Sequence, residues 1–210
     1  MNLKFTLFLC AALLCSMISR GQSYHAGDVA VINAMIANNG LSATADKPSS
    51  WGSFITWGLI GNAYRITHLE FYINSLKGDV NLTELSELRH FDAELGTMKK
   101  LNASGLTNLE VLKCSRHQLT SLNVKGCSAL EYLECYNNQL TSLDVSGCGA
   151  LEELNCHNNI LTSLNVSGCE KLVILLCSIN QFTSLDVSGL KKLEDINCTK
   201  NYLTSLNMKG

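Results

Sequence analysis

Residues 130–150 read LEYLECYNNQLTSLDVSGCGA, and this 21-residue pattern recurs along much of the chain. A large apolar residue returns at the same spacing in five successive copies: Leu119, Leu140, Leu161, Phe182 and Leu203. With two looser copies, the sequence predicts seven repeats over residues 66–210, the last incomplete, which begin at positions 66, 88, 109, 130, 151, 172 and 193. A fixed period of this length is typical of a solenoid, in which each repeat forms one winding.

The first half of each repeat alternates between apolar and polar residues. In the quoted copy, Leu133 and Cys135 alternate with Tyr132, Glu134 and Tyr136. Such an alternation predicts a short strand that buries one side and exposes the other. A single winding buries too little apolar surface to offset its loss of conformational entropy. We therefore expect the strands of successive windings to stack in parallel.

The pattern resembles the leucine-rich repeat, L-x-x-L-x-L-x-x-N-x-L, with cysteine in place of the third leucine. It is most similar to the 21-residue, cysteine-bearing repeats of bacterial surface proteins in the internalin group. The resemblance implies a right-handed coil with a parallel β-sheet on its concave face and a shorter extended stretch on the other side. The expected fold class is an α/β-type repeat solenoid, mostly strand and loop with little helix.

Residues 24–62 do not repeat and predict a small helical N-terminal cap. Asp28 can cap a helix that ends near Asn39. The apolar residues on one face of that helix are Val31, Ile32, Met35 and Ile36. Trp51 and Trp57 are expected to close over the first repeat, and a tryptophan-lined sugar site is the alternative. The order of these features resembles the N-terminal cap of plant-type leucine-rich-repeat ectodomains, although the cysteine pair of that family is absent.

Two further columns mark the turns. Asparagine recurs where the chain turns off the strand, and a buried amide there can satisfy backbone groups that lack a strand partner. This column consists of Asn138, Asn159, Asn180 and Asn201, with Asn74 in the first repeat. Gly96 and His117 interrupt it, so we expect their two repeats to be the least regular. A glycine column predicts turns with positive φ at Gly105, Gly126, Gly147, Gly168, Gly189 and Gly210.

The chain has ten cysteines, and eight of them lie in two columns of the repeats. The first column is Cys114, Cys135, Cys156, Cys177 and Cys198, and the second is Cys127, Cys148 and Cys169. Disulfides are the ordinary expectation after export. However, leucine takes the positions that flank the second column, which favours packed, structural thiols.

Metal binding and catalysis are the other chemical roles of cysteine. A metal site or a Cys–His nucleophile needs groups that converge, whereas His157 is expected to point to the opposite side of the strand from Cys156. We therefore predict no metal, no cofactor and no catalytic residue. The chain is predicted not to be an enzyme.

Residues 1–21 predict a cleaved signal peptide. Lys4 precedes an apolar run that ends at Ile18, and small and polar residues follow as far as Gly21. The run is short for a membrane span, so we expect a secreted or cell-surface protein without a transmembrane anchor. The chain has 16 Lys and Arg against 18 Asp and Glu, which leaves no basic field for a phosphate backbone and argues against a nucleic-acid partner.

The expected function is protein recognition through the concave face, where rigid strands hold outward side chains. Apolar residues of the sixth repeat stand out on an otherwise polar face, and tyrosines are frequent anchors at interfaces. The candidate binding residues are Tyr72, His90, Arg116, Tyr132, Tyr136, His157, Ile174, Leu176 and Ile179. Packing between cross-strand neighbours is the alternative role of these side chains.

A structural or carbohydrate-adhering cell-surface protein is the alternative function, with a glycan as the partner in place of a protein. The repeats run to Gly210 without a cap. This ending predicts either a longer array or self-association through the uncovered C-terminal winding.

Overall fold

The computed structural model of the chain describes residues 23–39, 54–71 and 76–208. The predicted signal peptide lies outside these residues, and so do Trp51, Tyr72, Asn74 and Gly210.

The N-terminal cap is joined to the repeats through the same sheet. It consists of strand β1 (Ser23–Tyr24), helix α1 (Ala26–Asn39) and strand β2 (Ile55–Ile60). β2 runs antiparallel to β3 (Ala63–Phe71), and β1 pairs in parallel with the first residues of β3. The helix buries the predicted apolar face, with Ile32, Met35 and Ile36 in the core and Val31 partly buried against it.

Asp28 attaches the helix to the first repeat and is not its N-cap. The helix begins at Ala26, so Asp28 lies in the first turn, where it is fully buried. Its carboxylate accepts hydrogen bonds from the backbone N–H of Ile66 at 2.7 Å and from the guanidinium of Arg65 at 3.1 Å. A buried carboxylate needs such partners, which explains why the acid sits inside the helix and faces β3. The helix ends at Asn39 as predicted.

Strands then alternate between two sides of the solenoid: β4 (Lys77–Asn81), β5 (His90–Ala93), β6 (Thr97–Asn102), β7 (Val111–Lys113), β8 (Ser121–Asn123), β9 (Tyr132–Glu134), β10 (Leu143–Asp144), β11 (Glu153–Asn155), β12 (Leu164–Asn165), β13 (Ile174–Leu176), β14 (Ser184–Asp186), β15 (Asp195–Asn197) and β16 (Ser205–Asn207). The odd-numbered strands from β3 to β15 form one parallel sheet. The even-numbered strands form shorter parallel sheets, β4–β6–β8, β10–β12 and β14–β16. The predicted fold class is confirmed: a parallel-strand solenoid of about six turns with little helix.

The interior consists of aligned columns of apolar side chains. Leu112, Leu133, Leu154 and Leu175 are paired directly across neighbouring strands, and all four are fully buried. Tyr132 and Glu134, on either side of Leu133, are exposed or half-buried. The predicted alternation is therefore confirmed, and each winding presents its apolar columns to the windings before and after it.

The asparagine column joins each winding to the one before it. The amide of Asn159 donates to the carbonyl of Cys156 in its own winding at 3.1 Å and to that of Cys135 in the preceding one at 3.0 Å. Its Oδ1 accepts the N–H of Leu140 at 3.0 Å. The same three bonds recur at Asn138, Asn180 and Asn201. The predicted role of the buried amides is confirmed at these four positions.

His117 takes over the role of asparagine in the repeat that lacks it. Its Nδ1 accepts the N–H of Met98 at 3.3 Å, and its Nε2 donates to the carbonyl of Ala93 at 2.7 Å. Gly96 leaves room for this ring, since a Cβ there would lie 2.5 Å from the imidazole. The interruption therefore leaves β5 and β7 in regular register, and the shift of register falls between β4 and β6.

The turns use the left-handed region in two columns. The predicted glycine column has φ of +78° to +84° at Gly105, Gly126, Gly168 and Gly189. The prediction is wrong at Gly147, whose φ lies outside the left-handed region. A second column has φ of +50° to +60° without any glycine: Leu95, Arg116, Asn137, Asn158, Ile179 and Lys200. Sequence analysis missed it because the side chains at this position vary.

We expect the stability of the chain to depend on pH through His117. Burial lowers the pKa of His117 from its ordinary value of 6.5, against the opposing effects of the Ala93 carbonyl and the Glu94 carboxylate. The folded chain thus binds this proton less readily than the unfolded chain. The contribution of His117 is complete above about pH 6.5 and is lost as the pH falls through the folded pKa.

Urea unfolding at about pH 7.5 and about pH 5 measures this effect. The control is His117→Asn, which restores the residue of the column and removes the ionisable group. We expect the wild-type chain to lose more unfolding free energy than His117→Asn over this interval. An equal loss in both proteins would contradict the assignment.

Candidate binding face

The outward side of the long parallel sheet, called the strand face below, carries two rows of side chains in register. The first row is His68, His90, Val111, Tyr132, Glu153, Ile174 and Asp195. The second row is Glu70, Asp92, Lys113, Glu134, Asn155, Leu176 and Asn197. Because neighbouring parallel strands lie about 4.8 Å apart, each side chain in a row can contact the next.

The candidate residues within the described chain all lie on this face or at its edge. His90, Tyr132, Ile174 and Leu176 are on the strands, and all four point outward. Arg116, Tyr136, His157 and Ile179 follow the strand ends by two or three residues. The structure brings them together in separate groups, and His90 stacks on His68 at 5.7 Å, away from the others.

Three of the candidates form an aromatic cluster in the middle of the face. The rings of Tyr136 and His157 stack at 4.7 Å with only 6° between their planes, and the guanidinium of Arg116 lies 5.5 Å from the centre of the Tyr136 ring. Burial and the positive charge of Arg116 lower the pKa of His157, so its ring is neutral near pH 7. The cluster is therefore a stack of two rings with one cation over the Tyr136 ring.

Glu94 belongs to this cluster, and sequence analysis did not include it among the candidates. The hydroxyl of Tyr136 donates to the carboxylate of Glu94 at 3.4 Å, across a separation of 42 residues. Ser115 occupies the same position of the repeat between Glu94 and Tyr136. Its hydroxyl is fully buried and has no hydrogen-bond partner in the described chain. Two periods of 21 separate Glu94 and Tyr136, so the repeat puts them in one row. The period does not predict that the two side chains touch, because the contact depends on the length of the tyrosine.

Carboxylates surround Lys113 on the second row. The Nζ of Lys113 lies 4.0 Å from the carboxylate of Glu134. Burial raises the pKa of both Asp92 and Glu134, and neighbouring carboxylates add to this effect while Lys113 opposes it. Glu70 and Glu94 also act on these two groups, so carboxylates outnumber lysine in this part of the face.

The sixth repeat, residues 172–192, has aliphatic residues at both outward positions of its strand, where each other repeat has at most one. Ile174 and Leu176 of β13 are half-buried on the outward side, and Ile179 is 40% exposed at the turn that follows. The cross-strand neighbours of Ile174 are Glu153 and Asp195. Those of Leu176 are Asn155 and Asn197. These aliphatic side chains therefore have no aliphatic neighbour across the strands on either side.

The eight cysteines of the repeats are free thiols. All are buried except Cys198, which is partly exposed. In the second column, the thiol of Cys127 donates to the carbonyl of Ala103 at 3.1 Å, and that of Cys169 to Val145 at 3.3 Å. Burial raises the pKa of Cys127 to about 11 and that of Cys177 to about 12. Among the described residues, no group of His, Cys, Asp and Glu is arranged to hold a metal ion.

Comparison with known proteins identifies the class of the fold. The family model described as Leucine Rich repeats (2 copies) matches residues 128–168. No curated protein matches the sequence significantly. The functional domain of InlJ from Listeria monocytogenes, whose description notes a cysteine ladder, matches with 30% identity and a TM-score of 0.59 over 70% of this chain. The chain spans 35% of that InlJ domain.

A second solved structure matches over more of the chain. The ectodomain of the receptor kinase SOBIR1 from Arabidopsis thaliana has 14% identity and a TM-score of 0.55, and the match covers 88% of this chain and 99% of that one. At this identity the likeness concerns the fold alone. The chain is a solenoid of leucine-rich repeats of about 21 residues, and the resemblances to internalin-type repeats and to plant-type ectodomains are confirmed.

Leucine-rich-repeat folds are commonly protein–protein interaction modules and are typically non-enzymatic. In the described part of the chain, no helix has the length and apolar character needed to cross a membrane.

We expect the buried thiols to resist alkylation in the folded chain. The thiolate is the reactive species, and burial both raises the pKa and blocks access. Cys198 should therefore react with iodoacetamide at about pH 8 at least about tenfold faster than Cys135, Cys156 or Cys177. Peptide mass spectrometry of timed samples measures the rates, and the same reaction in urea is the control, where all four should react alike. A fast reaction at Cys156 in the folded chain would contradict the packed-thiol assignment.

Proposed function

We propose that the chain is an exported, non-enzymatic recognition module that binds a protein through the strand face, which is the predicted concave face. The observation that carries this proposal is the apolar surface of the sixth repeat. Ile174 and Leu176 are half-buried and have polar cross-strand neighbours, and Ile179 is exposed. Packing between cross-strand neighbours was the alternative role, and the register pairs these side chains with carboxylates and amides. A partner that covers them would gain their burial, about 25 cal/mol for each Å² of apolar surface removed from water.

The frame that holds these side chains supports the same function. β13 lies between β11 and β15 in a parallel sheet whose interior is fully packed, so Ile174 and Leu176 lose little freedom when a partner binds. The stacked Tyr136 and His157, which follow β9 and β11, add a second rigid surface one to two strands away. Aromatic and aliphatic anchors with a polar border are typical of protein interfaces.

Export and the absence of catalysis are parts of the proposal that rest on other observations. Export rests on the predicted signal peptide and on the similarity to the InlJ domain. Raised pKa values leave the thiols of the buried cysteines protonated near pH 7, which makes them poor nucleophiles. A glycan partner is less favoured, since the outward side chains of the sixth repeat are aliphatic.

The proposal is tested by selecting peptides from a displayed random library on the wild-type chain. Each enriched peptide is then measured against Leu176→Asp and against Ser184→Asp, a control on the opposite side of the same repeat. We expect most enriched peptides to bind Leu176→Asp at least about tenfold more weakly, which corresponds to about 1.4 kcal/mol. Binding to Ser184→Asp should stay unchanged. Enriched peptides that bind Leu176→Asp as well as the wild type would contradict the proposal.

A further inference from the structure

Negative charge is concentrated on the strand face. In each repeat, the variable outward positions are the residue before the strand, two residues of the strand and the turn that follows. Together these positions carry ten carboxylates: Glu70, Asp92, Glu94, Glu110, Glu131, Glu134, Glu152, Glu153, Glu194 and Asp195. The basic residues at these positions are Arg89, Lys113, Arg116 and Lys200. The rest of the described chain has seven carboxylates and eight basic residues. The excess negative charge of the described chain therefore lies on the face that carries the apolar side chains.

The sixth repeat divides this acidic surface. Its strand segment holds Val173, Ile174 and Leu176 and no charged residue. Glu153 is the first residue of the strand before it, and Asp195 is the first residue of the strand after it. Glu152 and Glu194 directly precede these two strands. An aliphatic strip is thus bordered on both sides by a pair of carboxylates, at the end of the sheet where the strands begin.

These four carboxylates have no basic partner within the described chain. Ion pairs on the strand face join Arg89 to Glu110 at 2.6 Å and Lys113 to Glu134 at 4.0 Å. Both pairs precede the sixth repeat in the chain. Arg116 lies over the Tyr136 ring. The charge beside the sixth repeat is therefore free to pair with a cation from outside.

We propose that the partner of the strand face is a cationic, aliphatic polypeptide segment, which places an aliphatic side chain on Ile174 and Leu176 and lysine or arginine side chains beside Glu153 and Asp195. This inference rests on the proposed function and adds the chemistry of the partner. An extended segment that crosses the strands presents alternate side chains on one side, about 6.6 Å apart. A cation two residues before and two residues after the aliphatic residue then reaches the carboxylates of β11 and β15, each about 4.8 Å from β13.

The cations and the aliphatic side chain of the segment both contribute to binding. The cations draw the segment to the acidic face over a distance of about a Debye length, 8–10 Å at physiological salt. The aliphatic side chain buries Ile174 and Leu176, which separates this partner from polycations that are attracted only by charge. The spacing between the two carboxylate pairs selects segments of the form basic-x-aliphatic-x-basic.

The inference is tested with three synthetic peptides whose central sequences are Lys-Ser-Leu-Ser-Lys, Lys-Ser-Ser-Ser-Lys and Glu-Ser-Leu-Ser-Glu. Each is titrated into the isotopically labelled chain while the backbone amide resonances are followed by NMR. We expect the first peptide to shift the resonances of β11, β13 and β15 and to bind at least about fivefold more tightly than the other two. Binding of the Glu-Ser-Leu-Ser-Glu peptide with equal affinity, or shifts confined to other strands, would overturn the inference.

Paired variants locate the charge effect. Glu153→Gln combined with Asp195→Asn should weaken binding of the Lys-Ser-Leu-Ser-Lys peptide about fivefold and reduce its salt dependence. The matched control is Glu170→Gln combined with Asp186→Asn, which removes two carboxylates from the same region outside the strand face and should leave binding unchanged. An equal loss in both double variants would overturn the inference, since it would reduce the effect to net charge.

The two proposals can fail separately. Library peptides that depend on Leu176 but are acidic or uncharged would overturn the cationic partner and leave protein recognition by the strand face standing. Library peptides that ignore Leu176 would remove both.

Discussion

The buried amide of the asparagine column is the interaction on which the rest of the structure depends. Where the chain leaves the strand, backbone carbonyls and N–H groups point inward and find no partner in the sheet. Each asparagine satisfies two carbonyls and one N–H, and these groups belong to two successive windings. An unsatisfied buried polar group costs about 1–3 kcal/mol, so a winding without its neighbour would carry several such penalties. Stacking is therefore required by hydrogen bonding as well as by burial of apolar surface.

The need for windings to stack determines which positions of a repeat can vary. Inward positions must keep apolar side chains, and cysteine is small and apolar enough to occupy one column in five successive windings. Outward positions on the long sheet have no such constraint, because their backbone is already paired. Differences between the repeats are accordingly concentrated there: a histidine stack, an aromatic cluster, a set of carboxylates and one aliphatic strip. A rigid frame with a freely varied face is what a recognition module requires.

The sequence predicted the features that repeat, because each recurs at a fixed spacing and has a local cause. The strand alternation, the asparagine column and the packed thiols belong to this group. Features that depend on distant contacts could not be predicted in the same way. Asp28 was expected to cap its helix but binds Arg65 and Ile66. His117 reproduces two of the three bonds of asparagine, and its ring fits because Gly96 lacks a side chain. For the candidate site, the rows followed from the period, whereas the bond from Tyr136 to Glu94 depends on side-chain length.

Replacement of Asn159 tests the role of the buried amide most directly. Asn159→Leu keeps a side chain of similar size and removes every hydrogen bond, while Ser163→Ala changes an exposed residue of the same winding. If the amide bonds hold the windings together, urea unfolding should show a loss of about 2–4 kcal/mol for Asn159→Leu and less than about 0.5 kcal/mol for Ser163→Ala. A stability of Asn159→Leu within about 0.5 kcal/mol of the wild type would show that the column only fills space, and would contradict this account.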